Sequence, residues 1–193
     1  AFDIAFKYRA PVLILSDGLI GQMMEKVILK EQKPRLTDEE VIEKNGSWAV
    51  TGKKNRERNI ITSLDLVSEK MEERVHRLMR KYDQMEQEDV RYETFNCEDA
   101  EYLMVAYGSS ARISQKAMEL ARAKNIKVGL LRPITLFPFP KKPLQELAKT
   151  VKGILSVEMS MGQMVEDVRL AVAHKVHVEH FGRTGGIIHT PEA

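Results

Sequence analysis

At 193 residues, the chain has room for one ordinary domain, or for one domain and part of a second. Hydrophobic residues make up 43% and charged residues 30%, a balance that excludes a disordered chain and is typical of a soluble fold. The formal net charge of +2 gives no strong attraction to nucleic acid or to anionic lipid, and the longest apolar run is too short to cross a bilayer.

The first thirty-odd residues read as the end of an α/β unit. The apolar spacing of residues 2–8 predicts a helix, and the short apolar run Pro11–Ser16 predicts a buried strand of a parallel sheet. One helix and one strand are too few to enclose a core. Because Ala1 is not an initiator methionine, we expect residues 1–36 to be the C-terminal end of a larger domain whose remainder lies upstream.

Residues 37–97 are more polar and predict a linker. Thr37-Asp-Glu-Glu40 has the pattern of a capping box that opens a short helix. A long helix near 66–88 is predicted by one apolar stripe, formed by Val67, Met71, Val75, Leu78, Tyr82 and Met85. We expect this stripe to pack on a neighbouring surface, with a free coiled coil as the alternative.

From residue 98 to 193 the pattern alternates between strand and helix, which predicts a parallel, doubly wound α/β sheet. The predicted strands are 102–107, 128–131, 154–157 and 176–180. The helix after the first of them is predicted to end near Asn125 and to bury Ile113, Ala117, Leu120 and Ala121. The next helix is predicted to start near Pro143 and to end before Gly153. The last predicted helix begins with a capping box of Ser160 and Gln163. It is predicted to bury Met161, Val165, Val168 and Val172.

Ligands of open parallel sheets bind beyond the carboxyl ends of the strands, so the residues there are the candidate site. Gly108, Ser109 and Ser110 follow the first strand of this domain and offer backbone N–H groups and hydroxyls to an anion, or simply cap the helix. Glu158 and Gln163 are docking candidates beyond the third strand, where helix capping is the alternative. No nucleotide-binding P-loop or nucleophile-elbow pattern is present in the sequence.

Two loops are further candidates. Gly185 and Gly186 could contact an anion or merely form a turn. Phe137 and Phe139 lie on a proline-rich loop and could dock on another domain or pack locally.

Metal and thiol chemistry have weaker support in the sequence. His174, His177 and His180 lie close together in the sequence, but on a strand His177 and His180 would face opposite sides, so we predict no metal site. The single cysteine, Cys97, excludes an internal disulfide and cannot by itself hold an iron–sulfur cluster. It predicts a reducing, cytoplasmic setting.

Several segments, in the same order along the chain, resemble a known family. The segments Arg132–Pro140, Val157–Gln163 and Phe181–Gly186 closely resemble the C-terminal part of 2-oxoacid:ferredoxin oxidoreductase alpha subunits. Residues 15–24 resemble the end of the pyrimidine-binding domain of these subunits, and residues 48–53 and 58–61 are most similar to the 2-ketoisovalerate branch. The resemblance covers nearly the whole chain.

The resemblance implies that residues 98–193 have a fold like the transketolase C-terminal domain. It implies an enzyme that oxidatively decarboxylates a 2-oxoacid on thiamine diphosphate with magnesium, transfers the acyl group to coenzyme A and reduces ferredoxin through iron–sulfur clusters. The implied partners are beta and gamma subunits in an oligomer. The motifs that grip the cofactor and the substrate would precede Ala1 or belong to partner chains, so no catalytic residue carries over and the chain alone is predicted to be inactive.

A second hypothesis needs no enzyme. The chain would then be a stand-alone interaction module, or a module that binds a nucleotide or coenzyme A through Gly108–Ser110 and Gly185-Gly186. Neither hypothesis identifies the 2-oxoacid, because the sequence that would discriminate among side chains is expected elsewhere.

Overall fold

The computed structural model describes residues 1–29, 31–53 and 55–192. The chain divides into two compact units. One comprises residues 1–23 and the region from 81 onward, and the other comprises residues 24–80. The predicted domain boundaries at 36 and 97 remain predictions.

The described residues form six α-helices, one short 3-10 helix at Ile20–Gln22 and five strands. The helices are α1 (Phe2–Tyr8), α2 (Asp38–Asn45), α3 (Ser68–Glu88), α4 (Gly108–Ala123), α5 (Lys141–Leu147) and α6 (Met164–Val172). The strands are β1 (Tyr92–Phe95), β2 (Tyr102–Ala106), β3 (Val128–Pro133), β4 (Gly153–Glu158) and β5 (His177–Gly182).

The five strands form one sheet in the order β1-β3-β2-β4-β5. Strands β3, β2, β4 and β5 are parallel, as predicted, whereas β1 pairs antiparallel with β3. The predicted parallel sheet is therefore confirmed for its four strands, and β1 is an additional antiparallel edge strand that the sequence did not predict. The sequence Tyr-Glu-Thr-Phe of β1 is only four residues long and does not alternate polar and apolar residues, so it gives no strand signal that separates it from the linker before it.

Helices cover both faces of the sheet, which confirms the doubly wound architecture. One face packs against α5 and α6, and its core includes Leu103, Leu144 and Val168. The other face packs against α4, with Met104, Leu130 and Met118 in its core. The helix ends differ from prediction. Helix α5 begins at Lys141, two residues before Pro143, and Gly153 opens β4 instead of ending a helix.

Two predicted buried helix faces need correction. In α4 the fully buried positions are Ser109, Ser110, Ala111, Ser114 and Met118, while the predicted Ile113, Ala117, Leu120 and Ala121 are only partly buried. The small serine and alanine side chains mark the side where α4 approaches the sheet closely. In α6, Val165, Val168 and Val172 are buried as predicted, but Met161 precedes the helix and is 81% exposed.

The N-terminal segment confirms the predicted helix and contradicts the predicted strand. Helix α1 covers the expected residues. Residues 11–16, all of which the structure describes, form neither helix nor strand, and Leu13, Ile14 and Leu15 are 72–82% exposed. A strand needs a neighbouring strand to accept and donate its backbone hydrogen bonds, and none of the five described strands pairs with this segment.

The second unit contains the predicted capping box. The Thr37 hydroxyl accepts a hydrogen bond from the Glu40 backbone, and the Glu40 carboxylate accepts one from the Thr37 backbone, at the start of α2. Helix α3 confirms the predicted long helix. Its apolar stripe is largely uncovered, because Val67, Met71, Val75, Leu78 and Tyr82 are 36–48% exposed and Met85 is the buried member.

No helix in the described part of the chain is both long enough and apolar enough to span a membrane.

Candidate functional site

The candidate site lies at the carboxyl end of the sheet, which we define as the end where β2, β3, β4 and β5 terminate. The chain passes from β2 through α4 to β3 on one side of β2, and later returns to β4 on the other side. Such a switch in strand order leaves a crevice between the two strand ends. Gly108, Ser109 and Ser110 follow β2 at this crevice, and Glu158 is the last residue of β4.

The predicted anion position at the start of α4 is filled by a carboxylate from the same chain. The Ser109 hydroxyl donates a hydrogen bond to Asp17 Oδ2 over 2.7 Å, and the Ile20 backbone donates one to Asp17 Oδ1 over 2.8 Å. Gly108 has a φ of +56°, and a Cβ there would lie 3.8 Å from Asp17 Oδ2. The predicted binding of an external anion at this turn stays a prediction.

The charge of Asp17 is stabilised by these contacts. The hydrogen bond from the Ile20 backbone lowers the pKa of Asp17 below its ordinary value, and the bond from the Ser109 hydroxyl lowers it further. The N-cap residue of α4, Tyr107, makes no side-chain capping hydrogen bond. Asp17 therefore supplies the negative charge that the free N–H groups and the positive end of the helix dipole favour.

Glu158 is a buried carboxylate, 1% exposed, that accepts five hydrogen bonds from its own chain. The donors are the hydroxyls of Ser156 (2.9 Å) and Ser160 (3.0 Å) and the backbone N–H groups of Gln163 (2.9 Å), Met164 (2.9 Å) and Val165 (2.8 Å). Burial by itself raises the pKa of Glu158, but the hydrogen bonds from the backbone outweigh it and hold the pKa below its ordinary value.

These contacts correct the predicted capping box at α6. The N-cap residue Gln163 makes no side-chain capping bond, and Glu158 caps the helix in its place. The Ser160 hydroxyl accepts a bond from the Gly162 backbone and donates one to Glu158. Glu158 is therefore fully engaged within the domain, whereas the exposed Gln163 side chain remains a predicted docking residue.

Two histidines flank Glu158. His189 Nε2 donates a hydrogen bond to the Glu158 carbonyl oxygen over 2.9 Å, because a carbonyl oxygen can only accept, and the other ring nitrogen is Nδ1. That Nδ1 atom and His180 Nε2 are buried without a hydrogen-bond partner among the described residues. His180 Nε2 lies 3.8 Å from Glu158 Oε1. Sequence reasoning dismissed His180 as a metal ligand and did not single out His189.

Gly182, at the end of β5, permits this close packing. A Cβ at Gly182 would lie 2.1 Å from the Ser160 carbonyl oxygen and 2.5 Å from the His180 ring. Only a residue without a side chain fits this position. Gly185 and Gly186 have φ values of +66° and +82° in an exposed turn, so their predicted role in anion contact stays a prediction.

The two phenylalanines of the proline-rich loop have different environments. Phe139 is 6% exposed and belongs to the core, so local packing replaces the docking role predicted for it. Phe137 is 60% exposed and makes an edge-to-face contact with Tyr82, with 5.9 Å between ring centroids. Phe137 therefore remains available for the predicted docking.

A largely apolar cleft of about 610 Å³ opens beside Gly108. Its walls come from residues 4–20, from the C-terminal end of α3, from Tyr107 and from the loop 132–138. Asp89 and Arg132 are the charged residues that line it. Arg132 is paired with Glu93 at 3.0 Å.

The described residues offer no set of side chains that fits a metal ion of the cofactors that the resemblance implies. No group of three His, Cys, Asp or Glu side chains is arranged for a metal ion within the part of the chain that the structure describes. Cys97 is buried, and burial raises the pKa of its thiol, so it is not an activated thiolate. Asp17 and Glu158 accept hydrogen bonds from their own chain and are not free to contact a cofactor ring.

Comparison with known proteins identifies the family. Residues 100–193 match the pyruvate:ferredoxin oxidoreductase core domain II. The ketoisovalerate oxidoreductase subunit VorB of Methanothermobacter thermautotrophicus is 46% identical over 188 residues, which cover 96% of this chain and 51% of that protein. The chain belongs to the 2-oxoacid:ferredoxin oxidoreductase family. This confirms the resemblance inferred from the sequence.

A subunit with a different named substrate is also similar to this chain. The 2-oxoglutarate synthase subunit KorA of Methanocaldococcus jannaschii is 32% identical over 212 residues, which cover 100% of this chain and 56% of that protein. The chain therefore spans about half the length of the curated relatives that it matches.

A solved structure supports the fold. The 2-oxoglutarate:ferredoxin oxidoreductase from Magnetococcus marinus, with 2-oxoglutarate, coenzyme A and succinyl-CoA bound, has a TM-score of 0.65. It is 21% identical to this chain, and the match covers 75% of this chain and 26% of that one.

Sequence reasoning missed Asp17 and His189 as parts of the carboxyl end of the sheet. Asp17 was visible only as the residue that ends an apolar run, a position where polar residues often gather in α/β proteins. No local pattern marks His189, because its contact with Glu158 spans 31 residues.

Proposed function

We propose that this chain is part of the alpha subunit of a 2-ketoisovalerate-type 2-oxoacid:ferredoxin oxidoreductase. The complete enzyme would oxidatively decarboxylate a branched-chain 2-oxoacid, transfer the acyl group to coenzyme A and reduce ferredoxin. The observation that carries this proposal is the 46% identity to a ketoisovalerate oxidoreductase subunit across 96% of the chain. The identity to a 2-oxoglutarate synthase subunit, 32%, is lower.

We further propose that the 193 residues serve structural and docking roles within that enzyme. The carboxylates at the carboxyl end of the sheet support this role, because Asp17 and Glu158 are used to hold segments of the chain together. Thiamine diphosphate, its magnesium ion and the iron–sulfur clusters are assigned to the rest of the complex. Beta and gamma subunits are the proposed partners, and the exposed Phe137 and Gln163 side chains are the proposed contacts.

Reconstitution of the whole enzyme tests the substrate. The complete alpha subunit, co-expressed with its partner subunits, should reduce ferredoxin in the presence of coenzyme A and 2-ketoisovalerate. Its kcat/KM for 2-ketoisovalerate should exceed that for 2-oxoglutarate by about tenfold or more, since a pocket shaped for an apolar side chain leaves a buried carboxylate unpaired. Equal or higher kcat/KM for 2-oxoglutarate would contradict the branched-chain assignment.

A second experiment tests the structural role. The 193-residue chain alone should show no turnover and no rise in melting temperature with thiamine diphosphate and magnesium, because ligand binding stabilises only a protein that has the site. Isothermal titration calorimetry with coenzyme A and with adenine nucleotides is the companion measurement. Micromolar binding of either ligand by the lone chain would favour the stand-alone binding module.

A further inference from the structure

Residues 1–23, which we call the N-terminal strap, are joined to the rest of their unit through two carboxylates. The first is Asp89, just beyond α3, which accepts hydrogen bonds from the Tyr8 hydroxyl over 2.5 Å and from Lys7 Nζ over 2.7 Å. Lys7 also pairs with Glu88 at 2.9 Å. The second is Asp17, which sits on the first turn of α4.

The two attachment points differ in chemistry. At Asp89 the partners are a cation and a phenol at the end of α1, and Asp89 is 9% exposed. At Asp17 the partner outside the strap is the Ser109 hydroxyl, on a helix that has no side-chain cap of its own. The contact between Asp17 and Ser109 spans 92 residues of sequence. Each point is therefore a tertiary contact, and neither arises from local chain geometry.

Between the two points the strap has little regular structure. Residues 11–16 form neither helix nor strand, and the side chains of Leu13, Ile14 and Leu15 are largely exposed. The same stretch lines part of the cleft of about 610 Å³, which residues 132–138 also line.

We propose that Asp17 and Asp89 form a two-point clasp that positions the N-terminal strap over the carboxyl end of the sheet and so sets the width of the cleft. Loss of the Asp17 carboxylate releases the end of the strap near the 3-10 helix, and loss of both carboxylates also loosens α1, where Glu88 still contacts Lys7 and Tyr8. The clasp acts through the backbone that it holds, so Asp17 and Asp89 are positioning residues. This inference does not depend on the proposed enzyme activity.

Hydrogen–deuterium exchange of the 193-residue chain tests the clasp. In Asp17→Asn, the amides of residues 17–22 and of the first turn of α4 should exchange about tenfold faster, since a charge-assisted hydrogen bond that holds a local structure closed is lost. In the double variant Asp17→Asn/Asp89→Asn, the faster exchange should extend through α1. Strands β2 and β4 should exchange at the wild-type rate in both variants.

Two further variants make the experiment decisive. Ser109→Ala keeps the carboxylate and removes one donor, so it should speed exchange at the same amides by a smaller factor. Ser16→Ala is the matched control and should leave exchange unchanged, because the hydrogen bond that the Ser16 hydroxyl donates within the described part of the chain goes to the Asp17 carbonyl in an exposed position. Unchanged strap exchange in the double variant would overturn the proposal. Faster exchange throughout β2 and β4 would also overturn it, since Asp17 would then stabilise the whole fold instead of one segment.

Discussion

Among single residues, Glu158 is a buried carboxylate whose charge is balanced entirely by hydrogen bonds from its own chain. Glu158→Gln keeps the size of the side chain but turns an NH₂ group towards donors that need an acceptor. We expect it to lower the free energy of unfolding by about 2–4 kcal/mol, measured by urea denaturation. The control Glu146→Gln breaks an exposed pair with Lys149 and should cost less than about 0.5 kcal/mol. Equal effects of the two substitutions would contradict the role of Glu158.

The same residue makes the stability of the fold depend on pH. Its pKa is lowered in the folded chain, because the backbone hydrogen bonds outweigh the effect of burial. A carboxyl group of this kind stabilises fully above its unfolded-state pKa, and its contribution is lost as the pH falls through the folded-state pKa. We therefore expect the free energy of unfolding to fall between about pH 5 and pH 3. Glu158→Gln should make the free energy of unfolding depend less steeply on pH in this range. The dependence should not vanish, since the pKa values of Asp17 and Asp89 are also lowered.

Gly182 gives a steric prediction at the same scale. In Gly182→Ala, the new methyl group would lie 2.1 Å from the Ser160 carbonyl oxygen, and backbone has to move to admit it. We expect a loss of about 3 kcal/mol or more in a denaturant titration. Gly153→Ala is the matched control in the neighbouring strand, because its Cβ would meet Tyr102 at an ordinary 3.8 Å. A smaller loss for Gly182→Ala than for Gly153→Ala would disprove the steric argument.

At the scale of elements, helix α3 shows how an apolar stripe can be predicted correctly while its burial is not. The spacing of the stripe predicted the helix, but Met85 is its only fully buried member among the described residues. Two methionines on this helix provide a test. Met85→Ala should lower the free energy of unfolding by about 2 kcal/mol, whereas Met79→Ala, at a side chain that is 50% exposed, should cost less than about 1 kcal/mol. Thermal and urea denaturation of both variants measure the difference.

The elements also show what sequence can and cannot predict. Strands β2, β3 and β4 were predictable because parallel strands buried on both faces are nearly continuous apolar runs. The first capping box was predictable because its two partners are three residues apart. The contact of Asp17 with the start of α4 was not predictable, because Asp17 and Ser109 are 92 residues apart in the sequence. The cap of α6 was misassigned because Glu158 reaches it from the preceding strand, outside the window that a capping box uses.

At the scale of the whole molecule, exposed apolar side chains are the feature that most resembles an interface. Leu13, Ile14 and Leu15 are consecutive and 72–82% exposed, and contiguous apolar surface of this kind promotes association. We expect light scattering after size-exclusion chromatography to show an average mass that rises with concentration. Replacement of Leu13 and Ile14 by serine should reduce the rise. A monomeric wild-type chain at every concentration would refute this expectation.

The antiparallel direction of β1 determines at which end of the sheet Asp89 lies. Because Tyr92 pairs with Pro133, at the end of β3, the chain enters β1 from the same side at which the parallel strands finish. Asp89 consequently arrives on the side of the sheet where Ser109 begins its helix. A parallel first strand would have delivered Asp89 to the far side, and one short segment could not then have reached both Asp89 and Ser109.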